Sequence, residues 1–343
     1  MTLADQARAV AFGLCTQTGL RPPVSVEATT LDLGGRVLEA DVYRPRWQAP
    51  TSTVLFVHGM TARGHRDQRV VELCQMLPVF GCAVVAPHFK DIAAFSTDLT
   101  CAADVEASAL ALLRRPDLAP SGRLGIFSAS FSSLYCIIAA LKPSLRGHVG
   151  SLCLVGGIYT LEAMRAVFFD PATDGFVRQV FLLNFLHLAM GPRPGLDAAF
   201  RAALEDLGLA RSPPLLPSVL DALSPEDRED YRRLLADPDF LAASADNIVR
   251  YLDEGLQREL GGLGALGASV VLVHGAEDPL LHPADSRRMA ALLAAAGVPH
   301  TLEVTPLVAH GERLHIGPAL LPAAGRLLGA FARFFHDVRR GPR

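Results

Sequence analysis

Two rhythms of apolar and polar positions alternate along most of the chain. Thr53 to Val57, Cys82 to Ala86, Arg123 to Phe127, Val149 to Val155 and Ser269 to Val273 are short, largely apolar runs with the length of strands buried on both faces. Between and after them, apolar residues recur at helical spacing: Val70, Leu73 and Leu77; Val105, Ala109 and Leu112, stopped by Pro116; Leu134 to Leu141; Met289, Leu292 and Leu293 before Gly297; and Leu320, Leu327, Phe331 and Phe334. Thr301 to Val304 adds a further strand. Strands alternating with helices predict an α/β fold, a mainly parallel twisted sheet with helices on both faces. The start departs from this rhythm. Val24 to Leu33 and Arg36 to Tyr43 flank Gly34-Gly35, a pair suited to positive φ, so the first two strands are expected to form an antiparallel hairpin.

After Gly156-Gly157 about a hundred residues, ~160 to 262, keep a helical pattern without a convincing strand. They include a helix start at Ser224-Pro225-Glu226-Asp227, where Ser224 caps and Asp227 can reach back in a capping box. The predicted organisation is a core of residues 1–157 and 263–343 interrupted by a helical cap at 158–262.

Composition narrows the function classes. Half of the 343 residues are hydrophobic and a fifth are charged, as in a compact globular protein. A net charge of -3 offers no field for nucleic acid, and Arg326, Arg333, Arg339, Arg340 and Arg343 read as a solvated helix end. The longest apolar block, Val180 to Met190, is too short to span a bilayer. Residues 1 to 20 carry Asp5 and lack a basic start followed by an apolar run, so no secretory signal is expected. Six scattered cysteines without a Cys-x-x-Cys pair read as buried free thiols, which suits a reducing, cytoplasmic setting. His65, His88, His187 and His282 have no carboxylate or cysteine at ligand spacing, so neither a metal nor a cofactor is expected.

The segment richest in chemistry is Leu124-Gly125-Ile126-Phe127-Ser128-Ala129-Ser130-Phe131-Ser132-Ser133, a strand running straight into a helix. A serine at such a corner sits on a sharp turn with its hydroxyl above the sheet, and the first amides of the helix point at the same spot. The sequence here resembles the α/β-hydrolase family, whose motif in this setting is Gly-x-Ser-x-Gly. Serines 128 and 132 stand where that family has glycine, and a Cβ at a positive-φ position is expected to cost about 1 kcal/mol. The resemblance covers residues ~24 to 157 and ~268 to 337 and leaves the insertion aside.

Further residues follow in the family's order. His58-Gly59-Met60-Thr61 matches its His-Gly oxyanion loop, so the resemblance implies that the Met60 and Phe131 amides hold the negative oxygen of a tetrahedral intermediate, with His58 structural. In Val273-His274-Gly275-Ala276-Glu277-Asp278-Pro279, Asp278 matches the acid that orients the base, with Glu277 as fallback. His310 in Val308-Ala309-His310-Gly311 matches the base, with His315 the other candidate. The order Ser130, Asp278, His310 is that of the fold, and a serine nucleophile implies acyl transfer chemistry. The expectation is a serine hydrolase acting on a small-molecule carboxylic ester or thioester; acyl transfer to another acceptor with the same residues, or a non-catalytic binding role, are the alternatives. Phe168, Phe169, Phe176, Phe181 and Phe185 crowd the first part of the insertion; they read as cap core, and Phe181 and Phe185 also as walls for an apolar acyl group.

Overall fold

Strands with both faces covered carry mostly apolar side chains, and those of the central strands of this protein alternate between two cores. In the computed structural model, which describes residues 1–160, 163–164, 175–242, 248, 256, 258–308 and 318–341, these strands are β3 (Ser52–Val57), β4 (Cys82–Pro87), β5 (Leu124–Ala129), β6 (Val149–Val155) and β7 (Ser269–Gly275). Leu55, Val57, Val85, Ile126, Leu152, Leu154 and Leu272 point into one core. Val54, Phe56, Val84, Phe127, Cys153, Val271 and Val273 point into the other, as the two-residue period of a strand requires.

The sheet has the order β1-β2-β4-β3-β5-β6-β7-β8. Strands β1 (Val24–Asp32) and β2 (Val37–Pro45) form the expected antiparallel hairpin, β2 meets β4 antiparallel, and every pairing from β4 to β8 (His300–Thr305) is parallel. Turns at Gly34 and Gly35, with φ of 82° and 114°, make the hairpin corner.

Helices α1 (Leu3–Thr18), α2 (Gln68–Met76) and α9 (Leu321–Arg340) cover one face. α3 (Cys101–Leu113), α4 (Ser132–Leu141) and α8 (Ala284–Ala295) cover the other. α1 was not among the predicted elements, although Thr2 and Asp5 carry its signal: each side chain takes the other's backbone N–H in a capping box. Its Phe12 lies 5.4 Å from Phe80 and 5.6 Å from Phe331, ring centre to ring centre. The arginines of the last helix are not simply solvated. Arg339 pairs with buried Asp5, which also meets His336 at 2.8 Å, while Arg326 and Arg333 pair with Glu303 and Asp337. Arg343 lies outside the described residues.

Between β6 and β7 the described residues form helices and no strand, including α5 (Gly175–Phe185), α6 (Pro194–Leu209) and α7 (Pro225–Ala236). Ser224 caps α7 by accepting the Asp227 N–H at 3.0 Å. The Asp227 carboxylate does not complete a capping box; Arg193 takes it at 2.8 Å, a stronger charge-assisted contact. Two ties bring this helical segment to the carboxyl ends of the strands. Asn184 bridges the Thr97 N–H (2.9 Å) and the Phe95 carbonyl (2.8 Å), and Arg63 donates to the Leu209 carbonyl (3.0 Å).

Candidate active site

Ser130 sits where β5 gives way to α4, at the carboxyl end of the sheet, the side on which open α/β sheets bind their ligands. Its φ is +60°, one of three positive values among the described non-glycine residues. Holding a non-glycine residue there costs of order 1–3 kcal/mol and requires an enforcing environment. The Ser130 N–H donates to the Val155 carbonyl at 2.8 Å and its carbonyl accepts from Ser133 N–H at 3.0 Å, so both sides of the turn are tied down. The expected penalty at Ser128 and Ser132 is not found. Positive φ falls on Ser130 alone in this segment, and both flanking serines are fully buried and hydrogen-bonded: Ser128 Oγ to Ser133 Oγ at 3.1 Å, Ser132 Oγ to the His58 carbonyl at 2.6 Å.

The loop after β3 lies directly on this corner. A Cβ placed on Gly59 would stand 3.3 Å from both the Ala129 carbonyl oxygen and Ser130 Cβ, a tight contact that a side chain could make only by pushing the serine corner a few tenths of an ångström away. His58 is buried and structural. Its Nε2 accepts the Phe89 N–H at 3.1 Å, which leaves the proton on Nδ1 to donate to the Gly59 carbonyl at 2.9 Å. Burial pushes its pKa down to about 4, against a smaller opposing effect from the Gly59 bond, so the ring is neutral at physiological pH. Among the described residues, no carbonyl or side-chain acceptor takes the Met60 or the Phe131 N–H.

His58 also belongs to a cluster. His88 lies 6.0 Å from it and 5.2 Å from His65, ring centre to ring centre; His65 is 3.7 Å from Asp41, a carboxylate neighbour that only the β2–β4 pairing brings near. Burial lowers the pKa of both His65 and His88. No group of side chains among the described residues is arranged to hold a metal ion.

Asp278 follows β7 at the same end of the sheet. One carboxylate oxygen accepts the N–H groups of Leu280 (2.9 Å) and Leu281 (3.0 Å), and the other stands 3.7 Å from His274 Nε2. Its side chain is 2% exposed, whereas Glu277 is exposed. His274 is fully engaged by Ser286 Oγ at 2.6 Å and the Leu281 carbonyl at 2.8 Å, so it braces the loop that carries the acid. The backbone beyond β8 passes the same place. A Cβ on Gly275 would meet the Val308 carbonyl oxygen at 2.3 Å and Asp278 Cβ at 3.4 Å. His310 and His315 lie outside the described residues, as do Phe168 and Phe169.

A chain of aromatic contacts leads from the Ser130 corner into α5. Phe131, next to Ser130, meets Phe181 edge-on at 6.3 Å, and Phe181 meets Phe185 at 5.9 Å. A separate cleft of about 280 Å³, lined by Gly150, Leu266, Asp337 and Arg340, opens at the amino ends of β6 and β7, far from these groups.

No protein-family model matches the sequence, and no curated protein does. Solved structures match across nearly the whole chain at low identity. A fungal esterase from Rhizomucor miehei aligns with a TM-score of 0.57 at 13% identity, over 97% of this chain and 89% of its own. An esterase of Pyrobaculum calidifontis gives 0.52 at 16%, over 96% and 92%. A puromycin-hydrolysing peptidase of Mycobacterium tuberculosis gives 0.55 at 18%, over 93% of this chain but 40% of the peptidase.

Proposed function

We propose, from the premise that the chain has the α/β-hydrolase fold, that it is a serine hydrolase cleaving a small carboxylic ester or thioester with an apolar acyl group. The observation that carries this reading is the φ of +60° at Ser130, held in the strand-to-helix turn at the carboxyl end of the sheet, the backbone strain expected of a nucleophile at such a corner.

In the proposed reaction Ser130 Oγ attacks the carbonyl carbon while His310 takes its proton. The carbonyl electron pair moves to oxygen, where the Met60 and Phe131 amides receive it; such donors contribute a few kcal/mol each because they are already oriented. Collapse expels the alcohol or thiol, which leaves with the proton from His310, and water repeats the sequence on the acyl-enzyme. Asp278 orients His310. Support for that role comes from its burial, its position after β7, and the close approach of the Val308 carbonyl, two residues before His310, to Gly275. The Phe131–Phe181–Phe185 path supports an apolar acyl group, with residues 158–262 as the cap that shapes its pocket.

The test is labelling with a fluorophosphonate, read by intact mass and peptide mapping. One phosphonate per chain, on Ser130 and absent from Ser130→Ala, is the expected result; folded wild-type protein that takes no label refutes the proposal.

A further inference from the structure

The serine two residues after the proposed nucleophile stands where the resemblance calls for glycine, and the structure gives its hydroxyl a specific partner. Ser132 is fully buried at the first turn of α4. Its Oγ is 2.6 Å from the carbonyl oxygen of His58, 74 residues away at the end of β3. A carbonyl only accepts, so the hydroxyl is the donor, and the distance is at the short end for an O–H···O bond.

The carbonyl it holds belongs to the peptide that starts the Gly59–Met60 turn. The next carbonyl, that of Gly59, is held by Nδ1–H of His58, and His58 is itself anchored by the Phe89 N–H. Two successive peptide planes are thereby fixed from two sides. In a trans peptide the N–H points opposite to the C=O, so fixing the Gly59 carbonyl also fixes the direction of the Met60 N–H. The Ser132 bond adds what His58 cannot supply. It joins this loop to the helix that follows Ser130, so donor and nucleophile are set by one rigid unit.

We propose that Ser132 is a positioning residue for the oxyanion loop: its hydrogen bond to the His58 carbonyl sets the Met60 amide relative to Ser130. This rests on the reading of Ser130 as nucleophile. Without the bond, the amide has to be oriented during the reaction, a loss felt in the transition state more than in the bound substrate.

The experiment compares Ser132→Ala, Ser132→Thr and Ser128→Ala with wild type, using phosphonate labelling, kcat and KM on a p-nitrophenyl ester, and thermal melts. Ser128→Ala is the matched control: it is equally buried and loses a hydrogen bond of the same corner, but one that does not reach the loop. Ser132→Ala is expected to keep stoichiometric labelling at a slower rate and to lose roughly ten- to a hundred-fold in kcat with KM within about two-fold. Ser132→Thr, which keeps the hydroxyl, should recover most of the loss, and Ser128→Ala should stay within about three-fold of wild type in kcat. Equal losses in Ser128→Ala and Ser132→Ala that follow their melting temperatures, or a Ser132→Ala defect confined to KM, would make Ser132 a packing residue and overturn the inference. Wild type without label overturns the nucleophile reading, and the inference with it.

Discussion

Acid should destabilise this protein from about pH 6.5 downward, and His58 is the main reason. The ring is wholly buried, its Nε2 is committed as an acceptor to the Phe89 N–H, and its pKa is pushed from 6.5 to about 4 by burial. In the unfolded chain it takes a proton near pH 6.5, so between that value and about 4 the unfolded state binds more protons and stability falls with falling pH. A gap of about 2.5 units at roughly 1.4 kcal/mol per unit corresponds to about 3 kcal/mol, present above pH 6.5 and lost toward pH 4. His65 and His88 are lowered by burial too and act in the same direction. Asp5 and Asp67 are held at about 2: burial opposes this, but the Thr2, Arg339 and His336 contacts of the first, and the Arg69 and Thr61 contacts of the second, outweigh it. Their contributions persist above 3.8, outside the window. Asp197 and Asp285, raised by burial, run the other way and gain relative stability as pH falls. The assay is urea denaturation at several values between about pH 7.5 and about pH 4.5, on wild type and His58→Gln, whose side-chain oxygen can still accept from Phe89. The variant should be weaker at neutral pH, with a pH slope shallower by about one proton. Equal slopes in the two proteins would refute the assignment of the effect to His58.

Two further outcomes bear on the site. His310→Gln should be nearly inactive and His315→Gln nearly normal in kcat/KM; the reverse pattern moves the base to His315. Phe181→Ser and Phe185→Ser should lower kcat/KM for long or aromatic acyl chains by roughly one to two orders of magnitude, an apolar contact worth about 1–3 kcal/mol, and leave acetyl esters nearly unchanged; a uniform loss that follows the melting temperature would make both residues packing only.

The elements that the chain announces most clearly are those whose burial leaves no choice of side chain. Val54 to Val57 and Leu152 to Leu154 can only be core strands, and the hairpin turn at Gly34-Gly35 needs backbone freedom that glycine supplies. β5 runs to Ala129, beyond the apolar run that marks it, because Ser128 is satisfied by Ser133 inside the core. That partner follows only once the strand-to-helix corner is known. α1 was hidden by a different cause: the absence of a signal-peptide pattern says nothing about a capped helix, and the Thr2–Asp5 box was the cue. At the candidate site, Gly59, Ser130 and Asp278 stand in the sequence as residue types in the order that the resemblance implies. What Ser132 and His274 do is not legible there, since their partners are set by tertiary packing.

The docking of α1 on α9 also constrains how the protein is made. The Asp5–Arg339 pair joins residues 334 apart in the chain. At a synthesis rate of roughly 5–20 residues per second, α1 leaves the ribosome some tens of seconds before the helix it rests on. Throughout that interval Phe12 can pack on Phe80 but lacks its Phe331 partner, and the faces of β5, β6 and β7 that α9 will cover stay open once those strands emerge. Local strand and helix formation can proceed as each unit emerges, but this side of the sheet closes only after α9 has been made. The nascent chain therefore carries an uncovered apolar face until α9 arrives.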